Sequence, residues 1–474
     1  MAYLDQSFSS KNFRNIYDLL NRRGQIDIAN ISDKYKQIVT DIKLCNEKIK
    51  ALKRKKRSTW TDAENRDFET YKNQLSTLTD KKNNELSSKI EEFANDVNSP
   101  NFKFVMSKFT HDTHEIFKID TSKLQTVFAL NQINHNLKKS FNVEMANRHS
   151  IMTSLKHLLN TKMPIYVIRT DVDGFFEHIP QDKLIDKISN SNLLSYKTKS
   201  FIKQILAEFE QLKDKTKIAK GLGVPRGVSI SSMLSEIYMQ DLDRAIKSRK
   251  EVLFYARYVD DIFIITKSIY PYTDVSKYYN EILVKSFSEL KLSLKGIGTS
   301  KCQLLNITNI RPLSFDYLGY ELQMEYSNRN GLTTRYDLSN KKNDKIIDRM
   351  NKAFKHFEEL CKIDLKQARK DLLDSLKYIF GNIGLHKAKS GIKVGLYYNN
   401  DLLDEFGKLN DIEQMLKLKP INIPSNVFKT SSEETLFKEK LKKKIDSIHI
   451  KDNWQEKKMY KFGNQRINEI KEWL

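Results

Sequence analysis

The chain runs to 474 residues, roughly three domains' worth, and carries 82 Lys and Arg against 60 Asp and Glu, a net charge of +22. A basic excess this large, spread along the chain, goes beyond what solubility needs and favours a polyanionic partner, nucleic acid first. No apolar run reaches the roughly 18 residues of a membrane span, and the opening MAYLDQSFSS lacks the charged and apolar regions of a secretory signal. Cys45, Cys302 and Cys361 have no zinc-site spacing. We therefore expect a cytoplasmic protein with no membrane partner, its cysteines inert in the core.

Residues 30–97 read as a helical hairpin. Tyr35, Ile38, Ile42, Cys45, Ile49 and Leu52 alternate spacings of three and four, which lays one apolar seam along a helix. The helix ends in a basic run, Lys53 to Ser58. Thr61 and Glu64 then form a capping box that opens a second helix. Its seam is Phe68, Tyr71, Leu75 and Leu78, resuming at Leu86, Ile90, Phe93 and Val97 after a shift of phase that reads as a stutter. The expected role is a structural arm whose basic tip binds RNA or a neighbouring subunit.

From about residue 101 the pattern mixes helices with short strands. IYVIRTDV, Ile165 to Val172, reads as a strand, and residues 181–213 as mostly helical. GLGVPRGVSISSMLSEIYM, Gly221 to Met239, begins with a turn at Gly223, Pro225 and Gly227 that lets backbone approach a ligand closely. It continues through Ser229, Ser231 and Ser232 into a helix with Leu234, Ile237 and Tyr238 on one face. YARYVDDIFII, Tyr255 to Ile265, reads as a hairpin of two buried strands with Asp260 and Asp261 between them. Residues 340–380 are helix-rich, Pro420 and Pro424 bracket a linker, and a Lys-rich helix begins near Ser431.

The carboxylates carry the chemistry. Two adjacent aspartates between buried strands are either an exposed hairpin tip, where Asp is common, or a divalent-cation site. Asp171 ends the strand IYVIRTDV. A fold that sets that strand beside the hairpin gathers Asp171, Asp260 and Asp261, enough for two Mg²⁺ ions, with Mn²⁺ as a substitute.

DVDGFF, then GVPRGVSIS, then YVDD, followed by FDYLGY at Phe315 to Tyr320, resembles motifs A, B and C and the primer-grip hairpin of reverse transcriptases. The resemblance covers roughly residues 100–330. It implies an α/β right-hand polymerase fold: an N-terminal helical region (1–100), fingers and palm (101–330), and a basic α-helical thumb and C-terminal region (331–474). It implies that Asp171, the Val172 carbonyl, Asp260 and Asp261 hold the metal ions, and that Phe176 crowds the 2′-hydroxyl of an incoming nucleotide. If Phe175 faced the site instead, Phe176 would be core, because neighbours on a strand point to opposite faces. Arg148, Arg226, Gly227 and Lys301 fall at nucleotide-binding positions: Arg148 reaches the triphosphate from the fingers, and Lys301 protonates the leaving pyrophosphate. Phe315, Tyr317, Leu318 and Gly319 form the primer grip.

Two departures narrow the group. Arg226 stands where the family usually has Gln, and Ser232 where it usually has Pro. With SFSSKNFRNIYDLLNRRG and VGLYYNN (Val394 to Asn400), these make the chain similar to bacterial defence-associated reverse transcriptases of the unknown-group and abortive-infection types. No retron-type VTG triplet or zinc-binding endonuclease module is visible. The expected function is RNA-directed DNA synthesis from dNTPs in anti-phage defence. The expected partners are an RNA template such as a dedicated non-coding RNA, the DNA product, and a second copy or companion protein. Template-independent or protein-primed synthesis, a group II intron or retron-type enzyme, and an RNA-binding scaffold with a palm fold are the alternatives. The intact carboxylate set argues against the scaffold. Phe176 and YVDD argue against an RNA polymerase.

Overall fold

The computed structural model describes residues 4–111, 114–384, 393–424 and 427–474. The chain forms two compact units interleaved in sequence. The first is Met1–Met145, Val172–Ile246 and Ile282–Leu294; the second is Ala146–Asp171, Lys247–Glu281 and Lys295–Leu474.

The first unit opens with α1 (Ser10–Arg22), α2 (Asp33–Lys53), α3 (Asp62–Asn98), β1 (Met106–His111), β2 (His114–Ile119) and α4 (Leu124–Ser140). α5 (Arg148–Leu158) and β3 (Tyr166–Asp171) belong to the second unit. α6 (Phe175–His178), α7 (Gln181–Ser189), α8 (Tyr196–Leu212) and α9 (Ser231–Lys247) return to the first. β4 (Val252–Tyr258), β5 (Asp261–Thr266) and α10 (Val275–Tyr278) lie in the second unit, and α11 (Lys285–Glu289) in the first. The rest is in the second: β6 (Gln303–Asn306), β7 (Leu313–Tyr317), β8 (Tyr320–Ser327), β9 (Gly331–Leu338), α12 (Asn340–Leu360), α13 (Leu365–Phe380), β10 (Asn382–Gly384), β11 (Lys393–Gly395), α14 (Gly407–Leu418), α15 (Ser431–Asp446), α16 (Ile450–Gln455), β12 (Met459–Tyr460) and α17 (Asn464–Trp473).

In the first unit α2 and α3 form the expected hairpin. The Thr61 hydroxyl accepts from the Glu64 N–H while the Glu64 carboxylate accepts from the Thr61 N–H, so the capping box is complete. The shift of phase leaves α3 one unbroken helix of 37 residues. Leu86, Ile90, Phe93 and Val97 are buried, whereas Phe68, Tyr71, Leu75 and Leu78 are only half-buried. The inner half of the helix is anchored by Phe93 against Phe128 of α4, which Phe13 of α1 also meets. Lys53 to Ser58 lie exposed at the tip.

The second unit holds two antiparallel sheets, β4-β5-β3-β6 and β7-β8-β9, and a small mixed sheet, β11-β10-β12. Buried residues of the sheets, of α5 and of α12 to α16 share one core, with Phe263, Leu322, Tyr336, Phe357, Leu372 and Leu409 fully enclosed. α12 and α13 fit the helix-rich expectation for residues 340–380, and α15 begins at Ser431 as expected. The three cysteines are free and buried. Among the described residues no helix is long and apolar enough to cross a membrane.

Candidate active site

The site begins with register. β3 pairs antiparallel with β5, and the last pair of that ladder is Asp171 opposite Asp261. β5 in turn pairs with β4, closing at Tyr258 opposite Asp261, so Val259 and Asp260 form the two-residue turn. Val259 takes φ 60°, a left-handed conformation that a β-branched residue adopts only under strain. Carboxylate oxygens of Asp171, Asp260 and Asp261 all lie within 4.8 Å of one another, Asp171 buried and the pair half-buried. The hairpin tip is thus a carboxylate cluster rather than a solvated turn. The Asp171 carbonyl accepts from the Lys295 N–H at 2.9 Å, fixing the strand end.

Lys301 and Arg169 face Asp171 and Asp261. Lys301 Nζ lies 2.9 Å from Asp171 Oδ2 and 3.9 Å from Asp261 Oδ1. Arg169, only 4% exposed, reaches Asp261 Oδ1 at 3.2 Å and donates to the Ser300 carbonyl at 3.0 Å. Burial raises the Asp261 carboxyl above its ordinary value; Lys301 and Arg169 oppose the shift, and the Asp171 and Asp260 charges add to it. Hard carboxylate oxygens at this spacing fit a divalent cation.

Arg169 escaped the sequence reading. Its signal was present: two residues before Asp171 on a strand, it shares that face.

The primer-grip candidates form the β7–β8 hairpin. Leu318 and Gly319 have φ of 43° and 78°, the pair of left-handed residues of a type I′ turn. Phe315 and Tyr317 point into the core, Tyr317 packing on Phe263 at 5.0 Å. A cleft of ≈ 820 Å³ runs from Asp261, Arg169 and Lys301 to this turn and the start of α12. Arg148 lines the same cleft. Its Nε donates to the Leu318 carbonyl, Nη2 donates to the Asn399 carbonyl at 3.3 Å, and its guanidinium lies 5.2 Å from the Tyr320 ring centre. It thus sits in the same compact unit as the carboxylates.

Val172, Phe176, Arg226 and Gly227 belong to the first unit. Val172 is buried and bridges Leu294. The phenylalanine pair sits on the short helix α6 and not on a strand, so the expected alternation of faces does not apply. Phe175 is buried and Phe176 half-buried. Arg226 stacks over Phe176 at 5.6 Å and pairs with Glu177 at 3.4 Å. Gly223 and Gly227 have φ of 87° and 97°, as the expected turn requires.

A carboxylate trio at the end of this antiparallel sheet, with a grip-like hairpin in the same unit, defines the palm of a right-hand polymerase. The family model for reverse transcriptase (RNA-dependent DNA polymerase) matches residues 74–322, more than half of the chain, and the chain belongs to that family. Among solved structures it is similar to telomerase from Candida tropicalis in complex with a TWJ fragment of telomeric RNA, at 15% identity and a TM-score of 0.36 over 62% of this chain and 56% of that one. The apo telomerase of the same organism, truncated from its C-terminal domain, gives 15% and 0.33 over 50% and 56%. Telomerase from Candida albicans with the TWJ fragment gives 14% and 0.31 over 68% and 56%. The chain thus spans little more than half the length of each of these structures. No curated protein matches.

Proposed function

We propose that the chain is an RNA-directed DNA polymerase that joins deoxynucleotides by nucleotidyl transfer. The observation that carries this reading is the convergence of Asp171, Asp260 and Asp261 within 4.8 Å. Two divalent ions, Mg²⁺ or Mn²⁺, when held by these carboxylates and the Val172 carbonyl, would activate a strand's 3′-hydroxyl and offset the charge that develops on the phosphates. Arg169 holds Asp261 in place and supplies part of its counter-charge. Lys301, with its Nζ 2.9 Å from Asp171 Oδ2, would hand a proton to the departing pyrophosphate. Phe176, backed by Arg226, would crowd a 2′-hydroxyl and so favour dNTPs. The Leu318–Gly319 turn would support the end of the growing strand, with Arg148 bracing the turn.

In this reading residues 1–100 form the N-terminal helical arm, 101–330 the fingers and palm, and 331–474 the thumb and C-terminal region. The template is an RNA, and the exposed basic tip at Lys53 to Arg57 contributes phosphate contacts. The departures at Arg226 and Ser232 favour the bacterial defence-associated group, acting in the cytoplasm.

The test is nucleotide incorporation by purified protein with Mg²⁺, offering each dNTP and each rNTP, with and without RNase. Wild type should make DNA, and Asp260→Ala with Asp261→Ala should make none. Phe176→Val should raise ribonucleotide use relative to deoxynucleotide use. Product loss after RNase supports a bound RNA template, and persistence supports template-free synthesis. Well-folded wild type that incorporates nothing would return the chain to a scaffold role or to an enzyme that awaits an RNA or trigger.

A further inference from the structure

A second cavity of the same unit, ≈ 370 Å³, lies beside the catalytic cleft. Arg148, Lys342 and Lys345 line both, and Arg349 joins them in the second. Four cations thus surround one small cavity whose lining includes no acidic side chain. Among the described residues none of the four makes an ion pair with a carboxylate, whereas neighbours on the same helix do, as Lys352 does with Asp348 at 2.8 Å. Asp401, the acid whose charge acts on Lys342, is engaged by His149 at 3.2 Å and the Tyr320 hydroxyl at 3.4 Å.

The crowding is built in. Lys342 Nζ donates to the Asn399 carbonyl at 3.1 Å and to Asn400 Oδ1. Asn400 is itself fixed, its amide donating to the Leu396 carbonyl and its carbonyl accepting from the Trp454 indole N–H at 2.9 Å. Lys341 and Lys342 occupy the first turn of α12, which has no acidic residue. Cations there oppose the positive end of the helix dipole, where an anion would be stabilised. Burial, with Arg148 adding, holds the Lys342 ammonium well below its ordinary value. Each of these costs falls when an anion enters. The rest of the lining is largely apolar, with Ile346, Ile379, Ile383 and Leu396 and the ring of Tyr378. A volume of this size suits a small ligand with one charged end and one flat apolar end.

We propose that this cavity binds a nucleoside 5′-phosphate, its phosphate among Arg148, Lys342, Lys345 and Arg349 and its base against the apolar part of the lining. The ligand is either a free nucleotide or the 5′-phosphorylated end of a strand. The site needs none of the catalytic carboxylates, so it stands apart from the polymerase reading.

The test uses the full chain carrying Asp260→Ala and Asp261→Ala, in chelator, titrated with a sugar-labelled fluorescent dATP and read by anisotropy. Wild type in chelator is the parallel measurement. Binding should persist in both, and dATP should displace the probe where deoxyadenosine does not. Lys345→Glu and Arg349→Glu should each weaken it about tenfold without lowering the melting temperature of the ligand-free protein. Lys440→Glu, exposed on α15, should leave it unchanged. Competition by a 5′-phosphorylated dinucleotide, but not by its 5′-hydroxyl twin, assigns the site to strand ends as well as free nucleotides; competition by dATP alone assigns it to free nucleotides. The proposal is overturned by absent binding, by displacement with deoxyadenosine, by binding that needs Asp260 and Asp261, or by equal weakening in Lys440→Glu.

Discussion

Lys342 shows how one residue's surroundings set a measurable property of the fold. Burial, reinforced by Arg148, pushes its pKa down to about 7. An unfolded lysine keeps its proton to about pH 10.4. Between those values the unfolded chain holds a proton that the folded chain has released, so stability rises with pH across that window. Below pH 7 the penalty is fully present. Urea unfolding of the metal-free protein from pH 7 to 9.5, in a buffer without phosphate, should therefore show a rise in stability that Lys342→Met flattens. Equal slopes in the two proteins would show that Lys342 is not held near pH 7. Arg169 makes the complementary case: a guanidinium this deep survives because Asp261 and the Ser300 carbonyl take its terminal donors.

At the scale of elements, the loop before α9 is held by backbone. The Phe117 N–H on β2 donates to the Arg226 carbonyl at 2.7 Å. A Cβ on Gly227 would lie 2.7 Å from the Phe117 carbonyl oxygen, at φ +97°. Gly221, at φ +73°, has nothing within 4 Å of its notional Cβ. Gly221→Ala should cost only the conformational term, about 1 kcal/mol, and Gly227→Ala clearly more, about 2–3 kcal/mol, because β2 must also shift. Chemical denaturation of both variants checks this. Equal costs would mean that the loop gives way without straining β2.

For the whole molecule the net charge of +22 sets the expectation. Binding to RNA should fall steeply with salt, by about 10³ between 50 and 200 mM if some six phosphates are engaged. Replacing Lys53, Arg54 and Lys56 at the hairpin tip by Gln should flatten the plot of log affinity against log salt by about one unit for each phosphate that the tip no longer neutralises. Filter binding across a salt series measures both. An unchanged slope would take the tip out of the RNA-binding surface.

Much of this was legible in the sequence where the signal is local. The capping box at Thr61 and Glu64 needs three residues of spacing. The hairpin around Asp260 and Asp261 needs two apolar runs and a turn, whereas the hairpin at Leu318 and Gly319 came only from the resemblance of FDYLGY to a primer grip. Periodicity placed α2 and α3 because burial of one face repeats with the helix turn, while residues 340–380 read as helix-rich without the boundary between α12 and α13. The order of the motifs, read together, pointed to a polymerase palm before any strand was paired. What distance in the chain conceals was decided by folding. That Asp171 faces Asp261 is a fact of register between β3 and β5. That Lys301 and Arg169 converge on those acids follows from the same sheet, whereas Arg148 reaches from α5 to the Leu318 carbonyl in the turn of the other sheet, a place not readable from its sequence neighbours. The cations around the second cavity come from α5 and α12, and its apolar lining from α12, α13 and the strands after them. No window of sequence holds them together, because electrostatic crowding depends on distances that only tertiary packing creates.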